Sequence, residues 1–168
     1  ALPIFLLVSV LVKMGSTGPV FFTQTRVGEG GGTFSMLKFR TMHTDMCEDS
    51  ATPQGSGDPR IIPMIGHFLR RTSLDELPQL VNVIKGDMSL VGPRPEMPFI
   101  VETYTAMERM RLELKPGLTG LWQVSEGRNA PIHENLDYDL YYIENQSLFL
   151  DLVILGLTVV AVPLRATH

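Results

Sequence analysis

Two apolar runs at opposite ends of the chain set the first constraint on its architecture. Residues 2–12 (LPIFLLVSVLV) and 152–164 (LVILGLTVVAVPL) carry no charged side chain. As a helix the first run would be roughly 17 Å long at ~1.5 Å per residue, against a hydrocarbon core about 30 Å thick. It cannot cross a bilayer alone. Nothing polar alternates along it as on a surface helix, so a membrane-dipping segment is favoured over a buried core helix. Pro3 would break or kink a helix arriving from upstream. The chain opens at Ala1 inside this run without a basic n-region, so a signal peptide is unsupported and further sequence is expected upstream. Near the other end, Asp151, Thr158 and Arg165 recur every seven residues. That spacing predicts a helix over 148–164 whose narrow polar stripe faces protein or headgroups, lying in the membrane interface.

Between these ends, a chain of 168 residues has room for one domain with a core. Residues 19–25 and 33–41 read as strands around the Gly-rich turn 28–32, a β-hairpin. Residues 44–59 form a polar, turn-rich loop. Helices are expected over 61–71, with Ile62, Ile65, Phe68 and Leu69 inward, and over 74–85, stopped by Gly86. The longest is expected over 99–114, with Phe99, Ile100, Tyr104, Met107 and Leu114 as its apolar stripe. A turn over 115–120 and a helix over 134–145 complete the reading. The fold class is therefore α+β, a mostly helical single domain with a small hairpin.

Charge narrows the function. The net charge of −4 argues against nucleic acid as a partner. Twelve of the 14 Lys and Arg lie at or before Lys115, so the front of the chain suits an anion. His43, His67, His133, His168 and the single Cys47 show no zinc-ligand spacing. GEGGG at 28–32 lacks the Lys-Ser or Lys-Thr of a phosphate loop.

The chemistry concentrates around Ser73-Leu74-Asp75-Glu76. Ser followed three residues later by Glu is also a capping box, and acids in a first helical turn suit the helix dipole. Pro78 disturbs that register, and a helix starting at Pro78 is an equal alternative. Cations surround the acid pair in sequence. Lys38 and Arg40, two apart on an expected strand, would share one face roughly 7 Å apart. Arg70 and Arg71 precede the acids, and Arg94 stands between Pro93 and Pro95, which restrict its backbone. An arginine fork matches phosphate oxygens bidentately. Paired carboxylates with fixed cations are what handling a diphosphate requires. Each cation alone reads better as a solvated surface residue; only the grouping points to a site.

These motifs resemble those of the bacterial sugar transferases, the monotopic polyprenyl-phosphate phosphoglycosyltransferases. The matching stretches are GPVFFTQTRVG from Gly18, LKFRTM from Leu37, RRTSLDELPQLVNVIKGDMSLVGPRPE from Arg70, KPGLTGLWQVSEGRN from Lys115 and LDYDLYYIENQSLFLDLVIL from Leu136. They span nearly the whole chain. The resemblance implies a UDP-sugar donor, an undecaprenyl phosphate acceptor, Mg2+, and a place on the cytoplasmic face of the bacterial inner membrane. It implies Asp75 as the nucleophile that forms a covalent phosphosugar intermediate, with Glu76 beside it and both acids at the metal. It places Lys38, Arg40, Arg70, Arg94 and Arg128 around the phosphates or the donor, and Gly127 near the nucleotide. Asp87 either orients the backbone after Gly86 or reaches substrate, and Trp122 reads as a core aromatic.

On this basis residues 1–17 are a membrane-dipping segment, the truncated end of the family's re-entrant helix. Residues 18–147 are the catalytic core, and residues 148–168 a membrane-associated helix. Two departures stand out: Glu126 is inserted before the GRN motif, and the apolar run ahead of Pro3 is short. Other classes fit less well. A glycosidase needs carboxylates ~5–9.5 Å apart on opposite sides of its bond, which adjacent residues do not supply. A nucleotide-sugar hydrolase would release sugar without a lipid acceptor. A non-catalytic membrane scaffold would leave the clustered cations unexplained.

Overall fold

The computed structural model describes residues 2–44, 58–125 and 136–164. Its first element, α1 (Leu2–Gly15), has Pro3 in the opening turn, where the missing N–H costs no helical bond. Val8 and Val12 are buried against Phe39 and Leu69, with Phe5 packed beside them. Their spacing of three and four residues marks one helix face. The rest of α1 is open: Ile4, Leu6, Leu7, Val10 and Met14 are all exposed.

The hairpin forms as expected, with shifted ends. Strands β1 (Phe21–Val27) and β2 (Thr33–Phe39) pair antiparallel, Phe21 opposite Phe39 and Val27 opposite Thr33. A 3-10 turn at Glu29–Gly31 joins them, and positive φ at Gly30 (69°) and Gly31 (84°) requires glycine there. The helix expected over 61–71 is shorter: α2 is Ile65–Arg71. Pro63 delays its start, and Ile61 is bridged to Met42 instead. Ile62 and Leu69 are fully buried, whereas Phe68 points outward, contrary to expectation.

The segment over 74–85 is two pieces. Leu74–Glu76 is a 3-10 turn, and α3 (Gln79–Lys85) begins behind Pro78. Gly86, at φ 86°, closes α3 in the left-handed conformation.

The next expectations fail more instructively. No long helix runs from 99 to 114. Instead α4 (Pro98–Val101), α5 (Ala106–Arg109) and a 3-10 turn (Met110–Glu113) follow one another. Thr105 is the cause. It caps α5 in a reciprocal capping box with Glu108, and its extended backbone breaks the helical path. Tyr104 is buried just before it, while Phe99 and Met107 are exposed. The segment expected as a turn at 115–120 contains a strand, β4 (Gly117–Thr119), which pairs in parallel with β3 (Ser89–Val91). Gly92, Gly117 and Gly120 sit at this junction, where a Cβ on any of them would meet backbone at 2.2–2.4 Å.

The chain ends in α6 (Leu121–Val124), α7 (Leu136–Asn145) and α8 (Leu148–Leu164). Val91, Tyr142 and Ile154 pack together across β3, α7 and α8. The seven-residue stripe of α8 faces protein: Asp151 accepts from the Tyr142 hydroxyl at 2.7 Å, and Thr158 and Thr119 hydroxyls are 2.8 Å apart. Arg165, its third member, lies outside the described residues. The opposite side of α8 exposes Leu148, Phe149, Leu152, Leu157, Val159 and Val160. Among the described residues, no helix is long and apolar enough to cross a membrane.

Candidate active site

Three elements deliver the site's charged groups. Lys38 comes from β2, Asp75 and Glu76 from the 3-10 turn after α2, and Arg94 from the segment leaving β3. Ser73 makes the turn possible. It adopts φ 55°, ψ 18°, a left-handed conformation that a non-glycine residue rarely takes, and it makes no side-chain capping bond. The capping-box reading of Ser73 is therefore overturned. The chain reverses at Ser73, Glu76 N–H donates to the Ser73 carbonyl at 3.2 Å, and Pro78 starts a new helix behind the acids.

Glu76 is the meeting point. Its Oε1 accepts from Lys38 Nζ at 3.0 Å and lies 3.4 Å from Arg94 Nη2. Asp75 is more deeply set, 9% exposed. Burial pushes its carboxyl up to about 6, the negative Glu76 adds to the rise, and Lys38 and Arg70 pull against it. Loss of water thus outweighs the pull of the neighbouring cations on Asp75. Arg70 also acts on Asp58, a carboxylate held down at about 2 by the Arg60 fork and absent from the sequence reading.

Arg40 is not part of this group. Its Nε, Nη1 and Nη2 donate to the carbonyls of Pro19, Thr17 and Ser16 at 2.6, 2.8 and 3.0 Å. Strand β2 ends at Phe39, so the alternation that would have put Arg40 beside Lys38 stops one residue short. Arg40 instead ties the link between α1 and β1. Arg128 and Gly127 lie outside the described residues. Asp87 takes its structural alternative: it accepts from Asn82 Nδ2 at 3.1 Å, and its N–H donates to the Asn82 carbonyl. Trp122 is only half-buried in α6 and stands outside the apolar core formed by the described residues, so it is not the core aromatic expected.

Sequence reading missed the residues that hold the site in place. Asn82, buried on α3, accepts from Leu37 N–H at 3.0 Å and donates to the Ser35 carbonyl at 2.9 Å. It fastens α3 to the strand that carries Lys38. Arg26, Arg111 and Asp139 are also buried. A polar residue amid apolar neighbours was their only signal, and it is a weak one.

Among the described residues, no group of three or more His, Cys, Asp or Glu could hold a metal alone. The donor set does suit a hard cation that takes part of its shell from substrate. Two adjacent carboxylates, one of them short of compensating charge, match the one or two acids by which Mg2+ is commonly held beside phosphates.

A buried acid, its paired neighbour and cations from β2 and from the segment after β3 converge in one place, a group of side chains suited to phosphate. The profile of the bacterial sugar transferase family matches residues 1–165, and the chain belongs to that family. It is similar to the exopolysaccharide production protein ExoY of Rhizobium meliloti, 42% identical, over 95% of this chain and 77% of that one. It is likewise similar to the UDP-glucose:undecaprenyl-phosphate glucose-1-phosphate transferase of Xanthomonas campestris pv. campestris, 42% identical over 95% of this chain and 35% of the relative. The UDP-N-acetylgalactosamine-undecaprenyl-phosphate N-acetylgalactosaminephosphotransferase of Aeromonas hydrophila is 39% identical, over 94% and 38%. The chain thus spans over a third of these two longer transferases. The protein is a sugar transferase.

Proposed function

We propose that the protein moves a sugar-1-phosphate from a UDP-sugar to undecaprenyl phosphate at the cytoplasmic face of a bacterial inner membrane, through a covalent intermediate on Asp75. The observation that carries this reading is the difference between the two acids. Glu76 is engaged by Lys38 and Arg94, while Asp75 lies buried beside them in an environment that resists its charge. A carboxylate so desolvated is a stronger nucleophile once ionised than one in water. The relatives' names supply the substrate class: two of them act on UDP-sugars and undecaprenyl phosphate. Those two differ in the sugar, so the sugar here is left open.

In the first step an Asp75 carboxylate oxygen bonds to the sugar-linked phosphorus of the donor. The bond from that phosphorus to the bridging oxygen breaks, and UMP leaves with that oxygen and its electron pair. In the second, a phosphate oxygen of the lipid attacks the same phosphorus, the acyl phosphate bond breaks, and Asp75 is restored. Lys38, Arg70 and Arg94 supply positive charge to the phosphates throughout. Mg2+, held by Asp75 and Glu76, would neutralise diphosphate charge.

The exposed apolar sides of α1 and α8 support attachment to a membrane surface without crossing it. The deciding experiment is incubation with labelled UDP-sugar and no lipid. About one UMP should be released per active site, leaving phosphosugar on a peptide containing Asp75. Label that appears only with lipid present would mean direct transfer. Free sugar without lipid would mean hydrolysis.

A further inference from the structure

The segment 93–96 is held in an unusual way. Pro93 and Pro95 have no N–H, so only carbonyls are available at those two positions. All four carbonyls of the segment are taken, each by a different partner. Pro93 accepts from Gly117 N–H at 2.9 Å and Glu96 from Val27 N–H at 2.9 Å. Pro95 accepts from Arg26 Nη1 at 3.2 Å, and Arg94 from Arg111 Nη2 at 3.0 Å.

The last of these ties is the most heavily supported. Arg111 is 4% exposed and sits in the 3-10 turn between α5 and β4. Its Nε donates to Asp139 Oδ2 at 2.7 Å, and Asp139 on α7 is 2% exposed. Its Nη1 bonds the Tyr104 hydroxyl. One guanidinium therefore joins α7, Tyr104 in the link between α4 and α5, and the backbone of Arg94. Burying an ion pair is costly, and replacement by apolar groups is often neutral for stability, so stability alone is weak grounds for such a pair. What it does fix is a direction: the fork is planar and its three bonds cannot all be kept if it turns.

We infer that Arg111, braced by Asp139 and Tyr104, is a positioning residue that holds the Arg94 backbone so that the Arg94 guanidinium meets Glu76 and the donor phosphate. This rests on the reading of Arg94 as a phosphate-binding residue. Arg111 acts through Arg94 and touches no substrate.

The test is a double-mutant cycle on the full chain in lipid vesicles, read as the rate of UMP release from UDP-sugar without acceptor. Arg111→Lys keeps the charge for Asp139 but cannot also keep the bonds to Tyr104 and the Arg94 carbonyl. It should slow UMP release about tenfold. In an Arg94→Lys background the same change should cost less than twofold, because the group being positioned is gone. Tyr104→Phe leaves the ion pair intact and should show a smaller loss that also vanishes on Arg94→Lys. That second cycle decides the matter if Arg111→Lys does not fold. Losses that multiply in full would overturn the inference and make Arg111 a general packing residue. So would wild-type rates in both Arg111→Lys and Tyr104→Phe alongside an impaired Arg94→Lys. Wild-type rates in Arg94→Lys itself would instead overturn the phosphate role of Arg94, and the inference with it.

Discussion

Lys38 Nζ lies 3.0 Å from Glu76 Oε1, an ion pair that joins β2 to the turn after α2 across 38 residues of sequence. Glu76 is thereby pinned by a cation, and among the described residues no ion pair reaches Asp75. Adjacent in sequence and alike in chemistry, the two acids have been given different environments. Separate environments are how paired carboxylates come to hold separate roles.

The division can be tested by removing each charge alone. Asp75→Asn should abolish both the covalent label and UMP release, since an amide does not attack phosphorus here. Glu76→Gln should retain the nucleophile but loosen Lys38 and Arg94, each of which donates to its Oε1. A loss of ~10- to 100-fold is expected from about 1.5–3 kcal/mol of charge-assisted bonding. Quantified labelling by mass spectrometry gives both numbers, and turnover surviving in Asp75→Asn would sink the covalent route.

Two arginines from the same sequence reading should now behave oppositely. Arg94→Lys keeps charge but not the bidentate fork, and UMP release should fall by ~10-fold or more. Arg40→Lys removes at least two of the three bonds to the Ser16, Thr17 and Pro19 carbonyls. It should lower stability by about 1–3 kcal/mol while leaving turnover per folded molecule near wild type. Thermal midpoints measured beside initial rates separate the two. A catalytic loss at Arg40 without loss of stability would return it to the site.

How far the site was legible follows from these residues. The Asp75-Glu76 pair stood out because Arg70 and Arg71 precede it, Lys38 because Arg40 follows two residues on, and Arg94 because prolines flank it. Their geometry was not visible. Nothing local announces that Ser73 turns left-handed, or that β2 ends at Phe39 and carries Arg40 away. The hairpin and α8 were legible because alternation and an uninterrupted apolar run survive in short windows. The parallel pairing of β3 with β4 was hidden, because three-residue strands have too little period to read, and their partners lie 28 residues apart. Thr105 and Glu108 did carry a capping-box signature inside the expected long helix. The apolar stripe was read over it, and the cap prevailed.

That hidden β3–β4 junction makes a prediction of its own. A Cβ on Gly92 would lie 2.4 Å from the Lys115 carbonyl and 2.9 Å from Gly117 N, both backbone atoms with little freedom to yield. Gly92→Ala should therefore destabilise by about 1–3 kcal/mol and shift Arg94, two residues on. Both the denaturant midpoint and UMP release should fall, whereas Gly156→Ala on α8, whose Cβ would meet nothing within 4 Å, should spare both. Equal behaviour of the two variants would mean that the junction tolerates separation.

The membrane arrangement gives the last prediction. Helix α8 has 17 residues, roughly 26 Å at ~1.5 Å each, short of a hydrocarbon core about 30 Å thick. Its inward side is fixed by Asp151, Ile154 and Thr158, bonded or packed against Tyr142, Val91 and Thr119. Under the proposed surface attachment, α8 is tied to protein along one stripe and would turn its apolar side to the lipid. Leu152 and Val159 stand on that open side, 59% and 74% exposed. Replacing both by Glu should leave the fold intact, since neither is buried, yet weaken attachment to vesicles of anionic and zwitterionic lipid. Flotation on a density gradient would show the change as a shift of protein from the vesicle fraction to the soluble one. Cysteines placed at Ile4 and at Val160, towards the ends of α1 and α8 that lie away from the core, should both escape an impermeant thiol reagent in intact spheroplasts and label after permeabilisation. Labelling of either one from the outside would replace surface attachment with a crossing.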